Sequence, residues 1–219
     1  MSTKPAPSTN RAPFLWIGLG VVVVVALFVW AIASGGTSGT ASGSDFEVPA
    51  FGEVTIDGDP LPLLDPSGGG VAEFDPAAGQ PAPLVSGTDW NGEPSTVGGA
   101  GSQLVVFLAH WCPNCQAEVP VLVDLMAGGD TIDGVPVVAV ATSANSTRAE
   151  FPPAAWLDRE GWTGQVVMDD AETTALRAYG LAAFPAWAVI GPDGEIVTRA
   201  TGQLPADAIR ALAGLAAGG

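Results

Sequence analysis

Short, nearly unbroken runs of hydrophobic residues alternate with longer helical patterns over the second half of the chain. The runs predict buried strands over residues 103–108, 135–141, 165–168, 186–190 and 195–199. Apolar residues at helical spacing predict helices over residues 113–126, 152–160, 171–178 and 207–217. Strands alternate with helices until a final hairpin and helix, so the pattern predicts an α/β sandwich with a mixed sheet.

The region before residue 103 has a weaker pattern. Leu84 and Val85 predict a short strand, and Asn91-Gly92 predicts a hairpin turn, so we expect the folded domain to begin near Gly79 and to extend to residue 219. Residues 34–78 are expected to form a flexible or extended linker, because their first part is rich in Gly, Ser and Thr. Apolar residues scattered through 46–78 indicate that this part lies partly against the domain.

Residues 14–33 form one uncharged hydrophobic run. At ~1.5 Å per residue, a helix of that length spans about 30 Å, the thickness of the hydrocarbon core of a bilayer. Lys4 and Arg11 precede the run and the next basic residue is Arg148, which places residues 1–13 in the cytoplasm and the domain outside. We therefore expect a single-pass anchor in the cell membrane. A cleaved signal peptide is the alternative, since Ala31-Ile32-Ala33 resembles a cleavage site.

The part of the chain after residue 33 is strongly acidic. It holds 23 Asp and Glu against 5 Arg and no Lys, a formal net charge of −18. A surface that binds phosphate groups needs a basic patch, so this charge excludes nucleic acid as a partner and disfavours binding to anionic lipid. Its plainer consequence is solubility of an exposed domain.

The two cysteines of the chain, Cys112 and Cys115, lie between a predicted strand and a predicted helix. The first thiol then lies at a helix N-terminus, whose unpaired N–H groups and dipole favour the thiolate, and the second lies one turn later. A structural disulfide over so short a loop contributes only about 2 kcal/mol. A zinc site needs about four ligands, and the chain adds a single histidine, His110. A redox-active dithiol is the main interpretation, and the other two remain alternatives.

Several motifs of the chain together match one known family: Gly79-Gln80-Pro81-Ala82-Pro83, Trp111-Cys112-Pro113-Asn114-Cys115, Glu118-Val119-Pro120 and Phe184-Pro185. Through them, residues 79–217 resemble the thioredoxin fold, and within it the membrane-tethered extracytoplasmic oxidoreductases of the TlpA/redoxin type. The second motif is similar to the family's W-C-x-x-C. The resemblance implies a thioredoxin-like three-layer sandwich with a mixed central sheet. One departure is Val106, which stands where cytoplasmic thioredoxins have a buried aspartate.

Three residues are candidates for the catalytic chemistry. Cys112, nearest the helix N-terminus, is the expected attacking thiol, and Cys115 is the thiol expected to resolve the mixed disulfide. Glu118 follows Cys115 by three residues on the same helical face, so we expect it to be at least partly buried. A desolvated carboxyl has a raised pKa and can exchange protons with a thiol. A solvated surface glutamate is the alternative.

Neighbouring residues complete the expected site. His110 could favour the Cys112 thiolate when protonated, and an exposed loop histidine without a role is the alternative. The resemblance implies a cis peptide bond at Pro185, which together with Phe184 would present backbone groups to an incoming peptide. An ordinary proline at the start of a strand is the alternative there. Trp111, Pro113 and Asn114 are expected to border the two thiols.

The expected function is that of a protein disulfide oxidoreductase with no metal or organic cofactor. Its expected partners are exported proteins with thiols or disulfides and a redox partner in or outside the membrane. The resemblance slightly favours a reductant of the kind that serves cytochrome c maturation. The alternatives are an oxidant that forms disulfides in exported proteins, a tethered non-enzymatic module with a structural disulfide, and a thiol peroxidase. The peroxidase motif P-x-x-x-T/S-x-x-C is not matched, because Val105 stands at its proline position and Ala109 at its Thr or Ser position.

Overall fold

The computed structural model describes residues 50–218. Its strands are β1 (Thr55–Asp57), β2 (Gly70–Val71), β3 (Leu84–Thr88), β4 (Pro94–Val97), β5 (Gln103–Leu108), β6 (Thr131–Ile132), β7 (Val135–Ala141), β8 (Gln165–Met168), β9 (Ala186–Ile190) and β10 (Ile196–Thr201). Its helices are α1 (Pro113–Met126), α2 (Pro153–Arg159), α3 (Thr174–Ala178) and α4 (Ala206–Ala216), with a 3₁₀ turn at Pro66–Gly68. Each strand and helix predicted from residue 103 onward is present, with shifts of no more than three residues at its ends.

The central sheet is mixed. Its order is β2-β10-β9-β5-β7-β6, and β8 also pairs with β7. Strands β5, β7 and β8 are parallel, whereas β9 runs antiparallel to β5 with Ala186 opposite Phe107. The C-terminal ends of β5 and β7 therefore lie beside the N-terminal end of β9, and this end of the strands is the edge of the sheet that holds the site. Three segments of the chain meet at that edge, and one of them carries the cysteines.

Alternating side chains of β5 divide the interior into two cores. Leu104, Val106 and Leu108 belong to a core with buried residues of α1, α2 and α4, whereas Val105 and Phe107 belong to one with residues of α3, β3 and β4. This division follows from the two-residue period of a strand, since both faces of the central strand are covered. The predicted thioredoxin-like three-layer α/β sandwich with a mixed sheet is confirmed.

Residues 50–78 pack on the domain, so the packed region begins before Gly79, where the sequence pattern put its boundary. Strand β1 pairs with β3, which also pairs with β4, in a separate antiparallel sheet, and β2 pairs with β10 and forms one edge of the central sheet. Leu61 and Leu64 are buried in the second core. Arg199 of β10 is fully buried and forms an ion pair with Asp75, also buried, at 2.6 Å. Leu61 and Leu64 are thus core residues of the domain, whereas Leu63 and Phe74 of the same segment are exposed, so the segment lies partly against the domain as expected.

Helix α3 begins at Thr174 rather than at residue 171. Two acidic side chains accept hydrogen bonds from its first N–H groups: Asp170 Oδ1 accepts from Thr174 N, and Asp169 Oδ1 accepts from Ala175 N. The two carboxylates therefore satisfy backbone donors at the start of the helix.

No helix within residues 50–218 is long and apolar enough to cross a membrane. The hydrophobic run at 14–33, the segment before it and residues 34–49 of the predicted linker lie outside the described residues.

Candidate active site

Both cysteines lie at the start of α1. Cys112 has extended backbone angles and directly precedes the first helical residue, Pro113, which needs no hydrogen-bond partner at that position. The backbone N–H of Cys112 donates to the carbonyl of Ala109, which closes the turn between β5 and α1. Both thiols are free. Cys112 is 7% exposed and Cys115 is 0% exposed, so only the first can be reached from solvent.

The segment before β9 lies against Cys112. The Phe184–Pro185 peptide bond is cis, as the sequence resemblance implied. The carbonyl oxygen of Phe184 is 3.7 Å from Cys112 Sγ. Phe184 also contacts Trp111, edge to face, with ring centroids 5.9 Å apart. The attacking thiol is therefore bordered by two partly exposed aromatic rings and by a backbone segment at the edge of the sheet.

Glu118 is fully buried on the same side of α1 as Cys115. Burial raises its pKa from 4.5 to about 7, although the N–H of Leu204 donates to Oε1 at 2.6 Å and partly offsets the rise. The indole N–H of Trp187 also lowers this pKa, but its geometry falls short of a hydrogen bond, and Glu118 Oε2 has no partner among the described residues. The solvated-surface alternative for Glu118 is excluded. A carboxyl with this pKa can gain or lose a proton near neutral pH.

Burial strongly raises the pKa of the Cys115 thiol, and the neighbouring Cys112 and Glu118 charges add to the effect. Cys115 is thus a protonated thiol at neutral pH and needs a base before it can attack another sulfur. Glu118 lies one helical turn further along α1, and its pKa near neutrality suits that task.

His110 differs from both sequence-based interpretations, because its side chain is fully buried. Burial lowers its pKa, and the charge of Arg148 lowers it further. Its Nδ1 lies 2.7 Å from the carbonyl oxygen of Ala149, which can only accept, and the N–H of Asn145 donates to its Nε2 at 3.0 Å. These partners require a neutral ring with the proton on Nδ1. His110 therefore fastens the loop after β7 and is not a charged neighbour of Cys112.

The remaining predicted neighbours lie at the surface. Pro113 and Asn114 are exposed on the first turn of α1, and Trp111 is partly exposed. The indole Nε1 of Trp111 donates to the carbonyl of Ser143 at 2.8 Å, which ties the ring to the loop after β7. Trp156, Trp162 and Trp187 are buried in the core next to α1.

Two contributors to the site were missed by sequence reasoning. The backbone N–H of Leu204 anchors Glu118 from a loop 86 residues away, and backbone groups carry no sequence signal. The loop of residues 143–151 contacts both His110 and Trp111. The pairing of β5 with β7 brings this loop to the site, because the loops that follow two parallel strands lie at the same edge of the sheet. No cluster of three or more His, Cys, Asp or Glu within residues 50–218 is placed to hold a metal ion.

The family model for Redoxin matches residues 77–215, well over half of the chain. The chain belongs to the Redoxin family. The matched residues run from just before the predicted boundary at Gly79 to the end of α4, so they include both thiols, Glu118 and the cis-proline.

Relatives of this Redoxin chain include the thiol-disulfide oxidoreductase ResA of Halalkalibacterium halodurans, 33% identical over 102 residues, which are 45% of this chain and 54% of ResA. Bovine nucleoredoxin is 31% identical over 100 residues, or 43% of this chain and 21% of that protein. The chain thus spans about half the length of one relative and about a fifth of the other. A thiol:disulfide interchange protein of the thioredoxin family from Chlorobium tepidum has a similar fold, with a TM-score of 0.51 and 23% identity over 62% of this chain and 94% of that one.

Proposed function

We propose that this protein is a thiol–disulfide oxidoreductase that exchanges disulfides with other proteins through a Cys112–Cys115 couple. The observation that carries the proposal is the pairing of a thiol that is 7% exposed with a fully buried thiol one turn away, beside a carboxyl whose pKa is about 7. Membership of the Redoxin family and the similarity to ResA support it. The chemistry takes place between sulfur atoms and needs no bound cofactor.

In the reducing direction, the Cys112 thiolate attacks one sulfur of a substrate disulfide. The substrate S–S bond breaks, one substrate thiol leaves, and Cys112 is joined to the other sulfur as a mixed disulfide. Cys115 then loses its proton to Glu118 and attacks Cys112 Sγ. The second substrate thiol leaves, and the protein holds a Cys112–Cys115 disulfide that a partner must reduce with two electrons.

Glu118 acts in the second half of this sequence. The Cys115 thiol has a raised pKa and is scarcely ionised at neutral pH, so its attack needs a proton acceptor within the closed interior. A surface carboxylate with an ordinary pKa of about 4.3 would be a weaker base by more than two orders of magnitude. The buried position of Glu118 therefore makes it a base suited to neutral pH.

The proposed location is outside the cytoplasm, with the chain held at the cell membrane by residues 14–33. The uncharged run, the basic residues before it and the net charge of −18 after it support this placement. The proposed substrates are exported proteins with thiols or disulfides, and the proposed direction is reduction. A redox partner at or beyond the membrane would return the cysteine pair to its dithiol form.

Trapping of mixed disulfides tests the roles of the two thiols. Cys115→Ser should accumulate mixed disulfides with exported proteins, because the attack that releases the substrate is missing. Cys112→Ser should trap few or none, because Cys115 is fully buried and its thiol pKa is raised. In the reduced wild type, an alkylating reagent at neutral pH should modify Cys112 much faster than Cys115. Equal trapping by both variants, or equal alkylation, would contradict the proposal.

A further inference from the structure

A positive charge lies beside the cysteine pair in an otherwise acidic domain. The guanidinium carbon of Arg148 is 5.1 Å from the centroid of the Trp111 ring, within the range of a cation–π contact. Arg148 is exposed and forms no ion pair within residues 50–218. Arg159, Arg199 and Arg210, by contrast, each pair with an acidic side chain. The charge of Arg148 is therefore available to a group outside the protein.

The loop that carries Arg148 is fastened on both sides of this residue. His110 forms hydrogen bonds with the backbone of Asn145, which precedes Arg148, and of Ala149, which follows Arg148. The backbone N–H of Arg148 itself donates to the carbonyl of Asn145 at 3.1 Å. A second attachment joins Ser143 to the Trp111 indole. The loop leaves the sheet at the edge where α1 begins, so these contacts hold the guanidinium on the active-site side of the molecule.

The contacts continue from Arg148 to the attacking sulfur. Trp111 directly precedes Cys112, and its ring contacts both Arg148 and Phe184. The Phe184 carbonyl is 3.7 Å from Cys112 Sγ. A peptide whose cysteine is joined to Cys112 must lie over these aromatic rings, and residues beside that cysteine come within reach of the guanidinium.

We propose that Arg148 is a specificity-determining residue that binds a carboxylate of the substrate, from an Asp or Glu next to the reacting cysteine. The proposal rests on the proposed disulfide exchange at Cys112. The part of the chain after residue 33 carries a net charge of −18 and repels acidic peptides as a whole, so a guanidinium beside the thiol offers a local attraction at the reacting sulfur. The planar guanidinium matches a carboxylate with two parallel hydrogen bonds.

Two activated peptides provide the test. Each carries one cysteine joined as a disulfide to 2-thiopyridine, and the residues on both sides of the cysteine are Glu in one peptide and Gln in the other. The Cys112 thiolate of the reduced full-length protein attacks the peptide sulfur, and thiopyridone leaves with a change in absorbance. Cys115 then attacks Cys112 Sγ and releases the peptide thiol. The measured quantity is the ratio of second-order rate constants for the Glu and Gln peptides.

We expect Arg148→Gln to lower this ratio by about two- to fivefold at low ionic strength, the range of a partly exposed ion pair. Arg148→Lys should retain most of the preference, because it keeps the charge. Arg210→Gln is the matched control, since it removes one exposed arginine that pairs with Asp133 at the other end of β7. It should leave the ratio at the wild-type value. Raising the salt to about 1 M should lower the Glu-to-Gln rate ratio of the wild type toward that of Arg148→Gln, because charges are then screened within about 3 Å.

An unchanged ratio in Arg148→Gln, with both peptides still reacting, would overturn the role of Arg148 and leave the disulfide exchange intact. An equal fall in Arg210→Gln would also overturn it, because the effect would then follow net charge. Failure of both peptides to react faster with the wild type than with Cys112→Ser would contradict the proposed function and this inference with it.

Discussion

The backbone N–H of Leu204 donates a 2.6 Å hydrogen bond to Oε1 of Glu118, across 86 residues of sequence. This bond fixes the carboxyl on the Cys115 side of α1 but satisfies only one of its oxygens, because Oε2 has no partner among the described residues. Burial therefore dominates, and it raises the pKa of Glu118 to about 7. A buried carboxyl with only one hydrogen-bonded oxygen lowers the stability of the fold but is a stronger base than a solvated one. Both effects are typical of a residue with a role in catalysis.

Glu118→Gln should stabilise the reduced protein at pH 8 and have little effect near pH 4. The pKa of Glu118 is raised in the folded state, from 4.5 to about 7, so folding favours its protonated form. Stability is then greatest below pH 4.5 and falls as the pH rises through about 7. Gln resembles the protonated acid, so the gain in free energy of unfolding should grow to about 3 kcal/mol at most at pH 8. Denaturant unfolding at both pH values measures it.

Glu172→Gln is the control for this pH dependence, because Glu172 is exposed. It should shift stability by less than about 0.5 kcal/mol at either pH. A gain from Glu118→Gln that is the same at pH 4 and pH 8 would mean that the carboxyl titrates normally in the folded protein.

Asp75→Asn should destabilise the domain by about 3 to 5 kcal/mol, because it leaves the buried guanidinium of Arg199 without a counter-charge. The side chains of this pair are 0% and 2% exposed. The matched control is Asp133→Asn, which breaks a pair whose side chains are 50% and 52% exposed and should cost less than about 1 kcal/mol. Urea unfolding of the two variants compares the costs, and equal values would show that Asp75 does not hold residues 61–78 to the domain.

The loop of residues 143–151 should loosen as the pH falls. Burial lowers the pKa of His110, so its neutral ring is favoured in the folded state. The bond from Asn145 N–H to Nε2 is intact above pH 6.5 and should be lost as the pH falls through the lowered pKa, since a protonated ring cannot accept it.

Amide hydrogen exchange measures this loosening. The protection factor of the Asn145 amide should be high at pH 7 and fall as the pH drops through the lowered pKa of His110, and in His110→Ala it should be low at every pH. The amide of Thr142, which donates to the carbonyl of Leu108, is the internal control and should stay protected. Protection of Asn145 in His110→Ala as high as in the wild type at pH 7 would show that His110 does not fasten the loop.

Much of the fold followed from sequence because the strands of a sheet covered on both faces are unbroken apolar runs. The bounds predicted for β5, β7, β8, β9 and α1 match those observed. Strands β2 and β6 carry no such signal, since each has only two residues. Residues 50–78 resembled a linker because Leu61, Leu64 and Asp75 are spaced irregularly among Pro and Gly, and only their tertiary partners show that they are buried.

The part of the site that lies on α1 could be predicted from the sequence, because the spacing of its residues along one helix places them on one side. The two thiols and Glu118 lie at fixed helical intervals, so their shared side of α1 was predictable. The state of His110 was not, because it depends on Asn145 and Ala149, which reach it only through the pairing of β5 with β7. Arg148 beside Trp111 was invisible for the same reason.

Titration of the reduced protein in buffers of reduced and oxidised glutathione tests the central claim most directly. We predict that the free thiols of Cys112 and Cys115 are lost together in one reversible two-electron step, with a Cys112–Cys115 disulfide as the product. A potential near that of thioredoxin, about −270 mV, would agree with the proposed reducing direction, and one near that of DsbA, about −120 mV, would reverse it. Oxidation that stops at a glutathione adduct on Cys112, with Cys115 still a free thiol at every ratio, would contradict the account of a redox-active pair.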